Sequence, residues 1–171
     1  MSATPEAGGD VPAPVHEDVT DLSLTRGPIL GLDLGTRTIG VAVSDALRTS
    51  ATALETVRRK KIDPDAARLG EIAASRGAVG IVLGLPRNMD GSEGPRAQAT
   101  RAFARNLAAR LPLPIALWDE RLSTVAAERA LLEADSSRKR RAEVIDAVAA
   151  AYILQGALDR LKATETGPAH D

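Results

Sequence analysis

The sequence predicts an α/β domain, a five-stranded mixed sheet flanked by helices. Three observations carry this. Two apolar runs, residues 29–34 and 39–44, are separated only by a short glycine-containing turn, the pattern of an antiparallel hairpin. Further along, helical and strand patterns alternate, which calls for parallel strands joined by crossover helices. The chain has 171 residues, enough for one full core and too few for two.

Each element has a local signal. Residues 1–27 are rich in Pro, Gly and acids and poor in large apolar groups, so they read as a disordered acidic tail. The folded domain spans residues 28–161 and opens with the hairpin. Residues 51–57 fit a third strand, followed by the basic run Arg58-Arg59-Lys60-Lys61. Asp63 and Pro64 suit a helix start, and Gly77 its stop. Residues 79–83 form a wholly apolar strand of the buried parallel kind. Residues 84–94 make a long loop of turn residues, and Pro95 opens a second helix that Pro112 and Pro114 close. Residues 115–118 are the fifth strand, delivering Asp119-Glu120-Arg121 at its end. Thr124 caps a third helix, and residues 135–141 form a basic loop. A final Ala-rich helix covers residues 142–161, and residues 162–171 read as a flexible tail.

Composition narrows the chemistry. The chain has no cysteine, and its two histidines, His16 and His170, lie near the ends. Thiolate sites and histidine-based catalysis inside the core are therefore disfavoured. Carboxylates, hydroxyls, Arg and Lys remain, and carboxylate-only sites suit hard cations such as Mg2+ or Mn2+. The net charge is −1, but residues 1–27 carry −4 and residues 162–171 carry −1, which leaves +4 on the domain. A polyanionic partner is permitted. With one Phe, one Trp and one Tyr, base stacking is disfavoured and backbone contacts are favoured. No stretch is long and apolar enough for a membrane span, and no secretory signal pattern is present, so a cytoplasmic location is expected.

Three acids stand where a merely solvated charge is not expected. Asp33 interrupts the first strand, Glu120 directly follows the fifth, and Asp146 lies in a helix stretch otherwise free of charge. A carboxylate inside a sheet is costly unless something positive lies against it. Sites in α/β sheets gather at the carboxyl ends of strands, so the three acids can converge on one cation, an arrangement suited to phosphoryl chemistry. Each acid also has a plain structural reading: Asp33 as a turn brace, Glu120 paired with a neighbouring Arg, Asp146 paired with the Arg138–Arg141 cluster. Asp119 is a further candidate ligand, although strand alternation points it away from Glu120.

Four segments, Asp33-Leu34-Gly35-Thr36-Arg37-Thr38-Ile39-Gly40-Val41-Ala42, Val82-Leu83-Gly84-Leu85-Pro86-Arg87-Asn88-Met89-Asp90-Gly91, Asp119-Glu120-Arg121-Leu122-Ser123-Thr124 and the Asp146 helix, resemble the YqgF/RuvX family in this order. These are bacterial RNase H-like proteins related in fold to the RuvC Holliday-junction resolvases. The resemblance implies an RNase H-like fold, with Asp33, Glu120 and Asp146 as metal-binding catalytic acids. It also implies a nuclease that matures the 5′ end of pre-16S ribosomal RNA or cuts recombination junctions.

Around that centre, Thr36, Arg37, Arg87, Asn88, Arg121, Arg140 and Arg141 are the candidate substrate contacts. They lie in the hairpin turn, the long loop, the Asp-Glu-Arg segment and the second basic run. The expected partner is structured or precursor RNA, or branched DNA, bound by a monomer or a homodimer. Two other classes compete. The Asp-x-Gly-Thr turn also resembles the first phosphate loop of sugar kinases, actin and Hsp70-type ATPases, which bind nucleotide between two such domains, whereas 171 residues are expected to give only one. A non-catalytic ribosome-assembly or transcription partner is the other alternative.

Overall fold

The computed structural model describes residues 15–122 and 138–165. Six strands form one mixed sheet: β1 (Val15–His16), β2 (Ile29–Leu34), β3 (Thr38–Ser44), β4 (Ala51–Arg58), β5 (Gly80–Leu85) and β6 (Ile115–Asp119). Their spatial order is β1-β6-β5-β2-β3-β4. The hairpin β2–β3 is antiparallel, as is β3–β4, whereas β5, β6 and β1 run parallel to β2. Three helices cover the sheet: α1 (Ile62–Arg76), α2 (Pro95–Ala108) and α3 (Arg138–Glu165). No described helix is long and apolar enough to cross a membrane.

The helix signals work as the sequence implies. Gly77 closes α1 at φ 67°, a left-handed conformation that glycine adopts without strain. Gly94 and Pro95 open α2, where proline's missing N–H costs nothing. The start of α1 is shifted to Ile62, and Asp65, not Asp63, reaches back to accept from the Lys60 N–H at 2.9 Å.

Three expectations are corrected. The sheet has six strands, because residues 15–27 are folded and not a disordered tail. Val15 and His16 add a parallel edge strand on β6, opposite Ile115 and Ala116. A short 3-10 helix, Val19–Leu24, then buries Val19 and Leu22 against the rest of the core. Arg48 ties this segment down, donating to the carbonyl oxygens of Gly27 and Leu22 and to Thr25 Oγ1. A few well-spaced apolar residues decide the outcome, and regional composition averaged them away. Secondly, residues 138–141 are helical and not loop, consistent with a run free of Gly and Pro and rich in helix formers. Thirdly, α3 continues through Glu165, into the expected tail. The helix expected from Thr124 lies outside the described residues.

The core is split by the sheet. One face, under α1 and α2, carries Leu30, Leu32, Ile39, Val41, Ile81, Leu83, Ile115 and Leu117. The other, under α3, carries Ile29, Ala42, Val82, Ala116 and Trp118 with Ala149, Ala150, Ile153 and Leu154 of the helix. On this second face glycines replace side chains. A Cβ on Gly31 would lie 2.7 Å from Leu154 Cβ and 3.0 Å from the Ala150 carbonyl oxygen. The helix therefore rests almost directly on the strand backbone.

Candidate active site at the carboxyl end of the sheet

Asp33 is the fifth residue of β2 and is buried, 5% exposed. Strand alternation puts it on the same face as Ile29 and Gly31, the face under α3. Its cross-strand partner is Gly40. A Cβ on Gly40 would collide with the carbonyl oxygen of Asp146, so the backbone of α3 sits on the strand at this point. Only glycine permits that approach. Asp146 is thereby carried to the position beside Asp33. Its carboxylate turns toward the hairpin, where the Thr38 hydroxyl donates to Oδ2 at 2.5 Å.

Glu120 arrives from the other side. It begins the 3-10 turn Glu120–Leu122 that follows β6. Its carboxylate fills the notch at Gly84, where a Cβ would lie 2.7 Å from Oε2. Gly84 pairs with Trp118 and follows Leu83, the partner of Leu32, so it flanks Asp33 on the adjacent strand. Thus Asp33, Glu120 and Asp146 come from a strand, a turn and a helix to one face and one end of the sheet. Among the described residues, however, no three His, Cys, Asp or Glu side chains are grouped closely enough to hold an ion. The donors fit a hard divalent cation in kind, being all carboxylate oxygen.

Asp119 is paired within its own turn. Its carboxylate faces Arg121, whose Nε and Nη2 donate to it at 3.1 and 2.7 Å. Those bonds hold the Asp119 carboxyl below its ordinary range. Arg121, expected to contact substrate, pairs with Asp119 and donates from Nη1 to the Met89 carbonyl oxygen at 3.3 Å, with part of its side chain still exposed. It latches the β5–α2 loop to the end of β6. Arg87 is likewise paired, with Glu93 at 3.4 Å, and Glu93 is held by Arg101 at 2.6 Å. Asn88 donates to Ser92 Oγ at 3.0 Å and shapes the loop from within.

Thr36 and Arg37 are exposed at the tip of the β2–β3 turn. That turn is braced by Arg59, which donates from Nη1 to the Gly35 carbonyl oxygen at 2.7 Å and from its backbone N–H to Arg37. The Arg59 guanidinium also lies 5.6 Å from the centroid of Phe103. Arg140 and Arg141 lie in the first turns of α3. Sequence reasoning missed two features: Thr38 as the partner of Asp146, and the chain Arg87–Glu93–Arg101–Glu17 that ties loop, helix and edge strand together. For Thr38 a signal existed, since it lies two residues before Gly40 and hence on the same face.

The family model described as "RuvX: Holliday junction resolvase" matches residues 27–160. A protein of Cereibacter sphaeroides is 72% identical over 150 residues, covering 86% of this chain and 94% of the relative. A protein of Paracoccus denitrificans is 72% identical over 136 residues, covering 80% of this chain and 86% of the relative. Both carry the name "Putative pre-16S rRNA nuclease". Among solved structures, Thermus thermophilus RuvC in complex with a Holliday junction substrate aligns at 14% identity and a TM-score of 0.49, over 80% of this chain and 96% of that one.

Proposed function

The chain belongs to the RuvX family, and from that premise we propose that it is a divalent-metal-dependent nuclease that trims the 5′ end of pre-16S ribosomal RNA in the cytoplasm. The observation that carries the reading is the joint placement of Asp33, Glu120 and Asp146 on one face at the carboxyl end of the sheet. The names of the close relatives supply the RNA substrate, and the description of the family model supplies the rival, a four-way DNA junction.

Asp33, Glu120 and Asp146 are the residues that would hold Mg2+ or Mn2+. When bound, the ion supplies positive charge against the scissile phosphate and a water acidic enough to attack at neutral pH. The protein's part is placement. Asp33 is fixed by a buried strand with paired neighbours on both sides, so it is the rigid member of the set. Glu120 sits on a single 3-10 turn and Asp146 on a helix seated over Gly40, each held by a different element. In hydrolysis, water oxygen bonds to phosphorus as the bond to the leaving nucleotide oxygen breaks. The products are a phosphate monoester and a free hydroxyl. Preorganised groups facing the developing charge provide the larger part of such a barrier reduction.

The test is cleavage of three matched substrates by one preparation: a pre-16S RNA fragment, single-stranded DNA and a four-way junction, with Mg2+ or Mn2+. RNA cleavage is expected, lost on chelation and reduced at least about a thousandfold in Asp33→Asn. Equal rates for wild type and Asp33→Asn would refute the site, and preferential junction cleavage would favour the rival substrate.

A further inference from the structure

The cations around this end of the sheet fall into two groups. On the β5–β6 side three arginines are spent on carboxylates, Arg87 and Arg101 on Glu93, Arg101 also on Glu17, and Arg121 on Asp119, while Arg96 in the first turn of α2 is exposed. On the β3–β4 side the pattern reverses. Arg37, Arg58, Lys60 and Lys61 are exposed, and none of them forms a salt bridge among the described residues.

Among the described residues, the acids of β4 and of the first turn of α1 are already committed. Asp63 pairs with Arg110 at 2.6 Å. Asp65 is buried, 3% exposed, and accepts from the Lys60 backbone N–H. Glu55 pairs with Arg68 at 2.8 Å. Among the described residues, the positive charge of this group is thus left exposed and without a carboxylate partner.

Placement connects this charge to the three acids. Arg58 is the cross-strand partner of Thr38, so it stands on the face that carries Thr38 and the Asp146 carboxylate. Arg37 tops the adjacent turn, and Lys60 and Lys61 follow Arg58 into the start of α1. Arg59, in the middle of the run, points inward and braces the turn through Gly35 and Phe103, which holds its neighbours in place.

We infer that the sugar-phosphate backbone of a single-stranded RNA is held along Arg37, Arg58, Lys60 and Lys61, on the β3–β4 side of the site, and not by Arg87 and Arg121 on the β5–β6 side. The choice of RNA rests on the function proposed above. The direction of approach rests on charge alone, since phosphate contacts favour cations with no carboxylate to release. The loop with Arg87 and Arg121 then acts as a fixed wall of the site.

Binding of a short labelled single-stranded RNA is measured in chelator, so that no cleavage occurs, across a range of salt. Two double variants remove equal charge. Lys60→Ala/Lys61→Ala takes it from the inferred track. Arg26→Ala/Arg76→Ala takes it from exposed positions before β2 and at the end of α1, at the opposite end of the sheet. The track variant should bind roughly tenfold more weakly, with the slope of log affinity against log salt reduced by about 1.4. The control should stay within about twofold, and both should melt with wild type. Equal losses in the two variants, or loss in neither, would overturn the inference. So would duplex DNA bound more tightly than RNA with the same lysine dependence. Cleavage in Mg2+ is read separately: lysine-dependent binding without cleavage upholds the track and strikes only the nuclease reading.

Discussion

The two faces of the sheet are built from the same strands by opposite means. Under α1 and α2, the strands offer large aliphatic side chains, Leu30, Leu32, Ile81, Leu83 and Leu117, which keep the helices at ordinary packing distance. Under α3 they offer Gly31, Gly40, Ala42, Gly84 and Ala116, and the helix descends onto the backbone. The acids occur on the second face, at its carboxyl end. A helix held at a normal distance would carry Asp146 away from Asp33. Close approach is therefore what makes this face suitable for a site, and the other face supplies cohesion.

Filling the glycine face should do the most damage. Gly40→Ala places a methyl group into the Asp146 carbonyl, and backbone cannot swing aside as a side chain can. The expected cost is about 3 kcal/mol or more in chemical denaturation, with cleavage lost even where the protein is folded. On the aliphatic face, Leu83→Ala should cost a similar 2–5 kcal/mol, roughly, by leaving a cavity, yet spare activity per folded molecule. Comparing rates normalised to the folded fraction separates the two. If Leu83→Ala abolished normalised activity as Gly40→Ala does, the division between faces would fail.

That division was only partly legible in the sequence. The hairpin, the alternating helices and the acids showed as departures from apolar periodicity, because a charge inside a strand or an apolar helix is conspicuous. Gly40 read only as part of an apolar strand and Gly84 as the start of a loop, since a glycine's reason lies in what approaches it from a distant part of the chain. Residues 15–27 were misread for a related cause. Their order comes from contacts with β6, α3 and Arg48, none of which is local. Arg87, Asn88 and Arg121 lie in the loop after β5 and the turn after β6, but the groups they meet, Glu93, Ser92 and Asp119, are decided by the folded chain.

A smaller effect tests whether the glycine face also sets side-chain direction. Thr38 is a positioning residue: its hydroxyl donates to Asp146 Oδ2. Thr38→Val should lower kcat about tenfold, equivalent to roughly 1.4 kcal/mol, with KM unchanged. Thr38→Ser, which keeps the hydroxyl, should restore most of the rate. A change in KM alone, or no rescue by serine, would show that Thr38 contacts substrate or merely fills space.

The smallest expected effect is at the edge farthest from the Gly40 contact, where ion pairs add to the burial of Val19 and Leu22. Arg101 donates to both Glu17 and Glu93, and these bonds hold each carboxyl below its ordinary 4.5. A carboxylate with a lowered folded pKa stabilises the fold above its ordinary value, and that contribution fades as pH falls through the lowered one. The link from β1 to α2 should therefore be constant from neutral pH to about 4.5 and weaken below it. Trp118, the only tryptophan, shares a buried cluster with Val19 of the N-terminal segment and reports its detachment. Its emission should hold steady down to that point and then shift to the red before global unfolding. Arg101→Met, which keeps the stem and removes the charge, should show the shifted emission already at pH 7 while cleavage changes little. Identical pH profiles for Arg101→Met and wild type would mean that Val19 and Leu22 hold the edge by burial alone, and that this border of the sheet is packed like its centre.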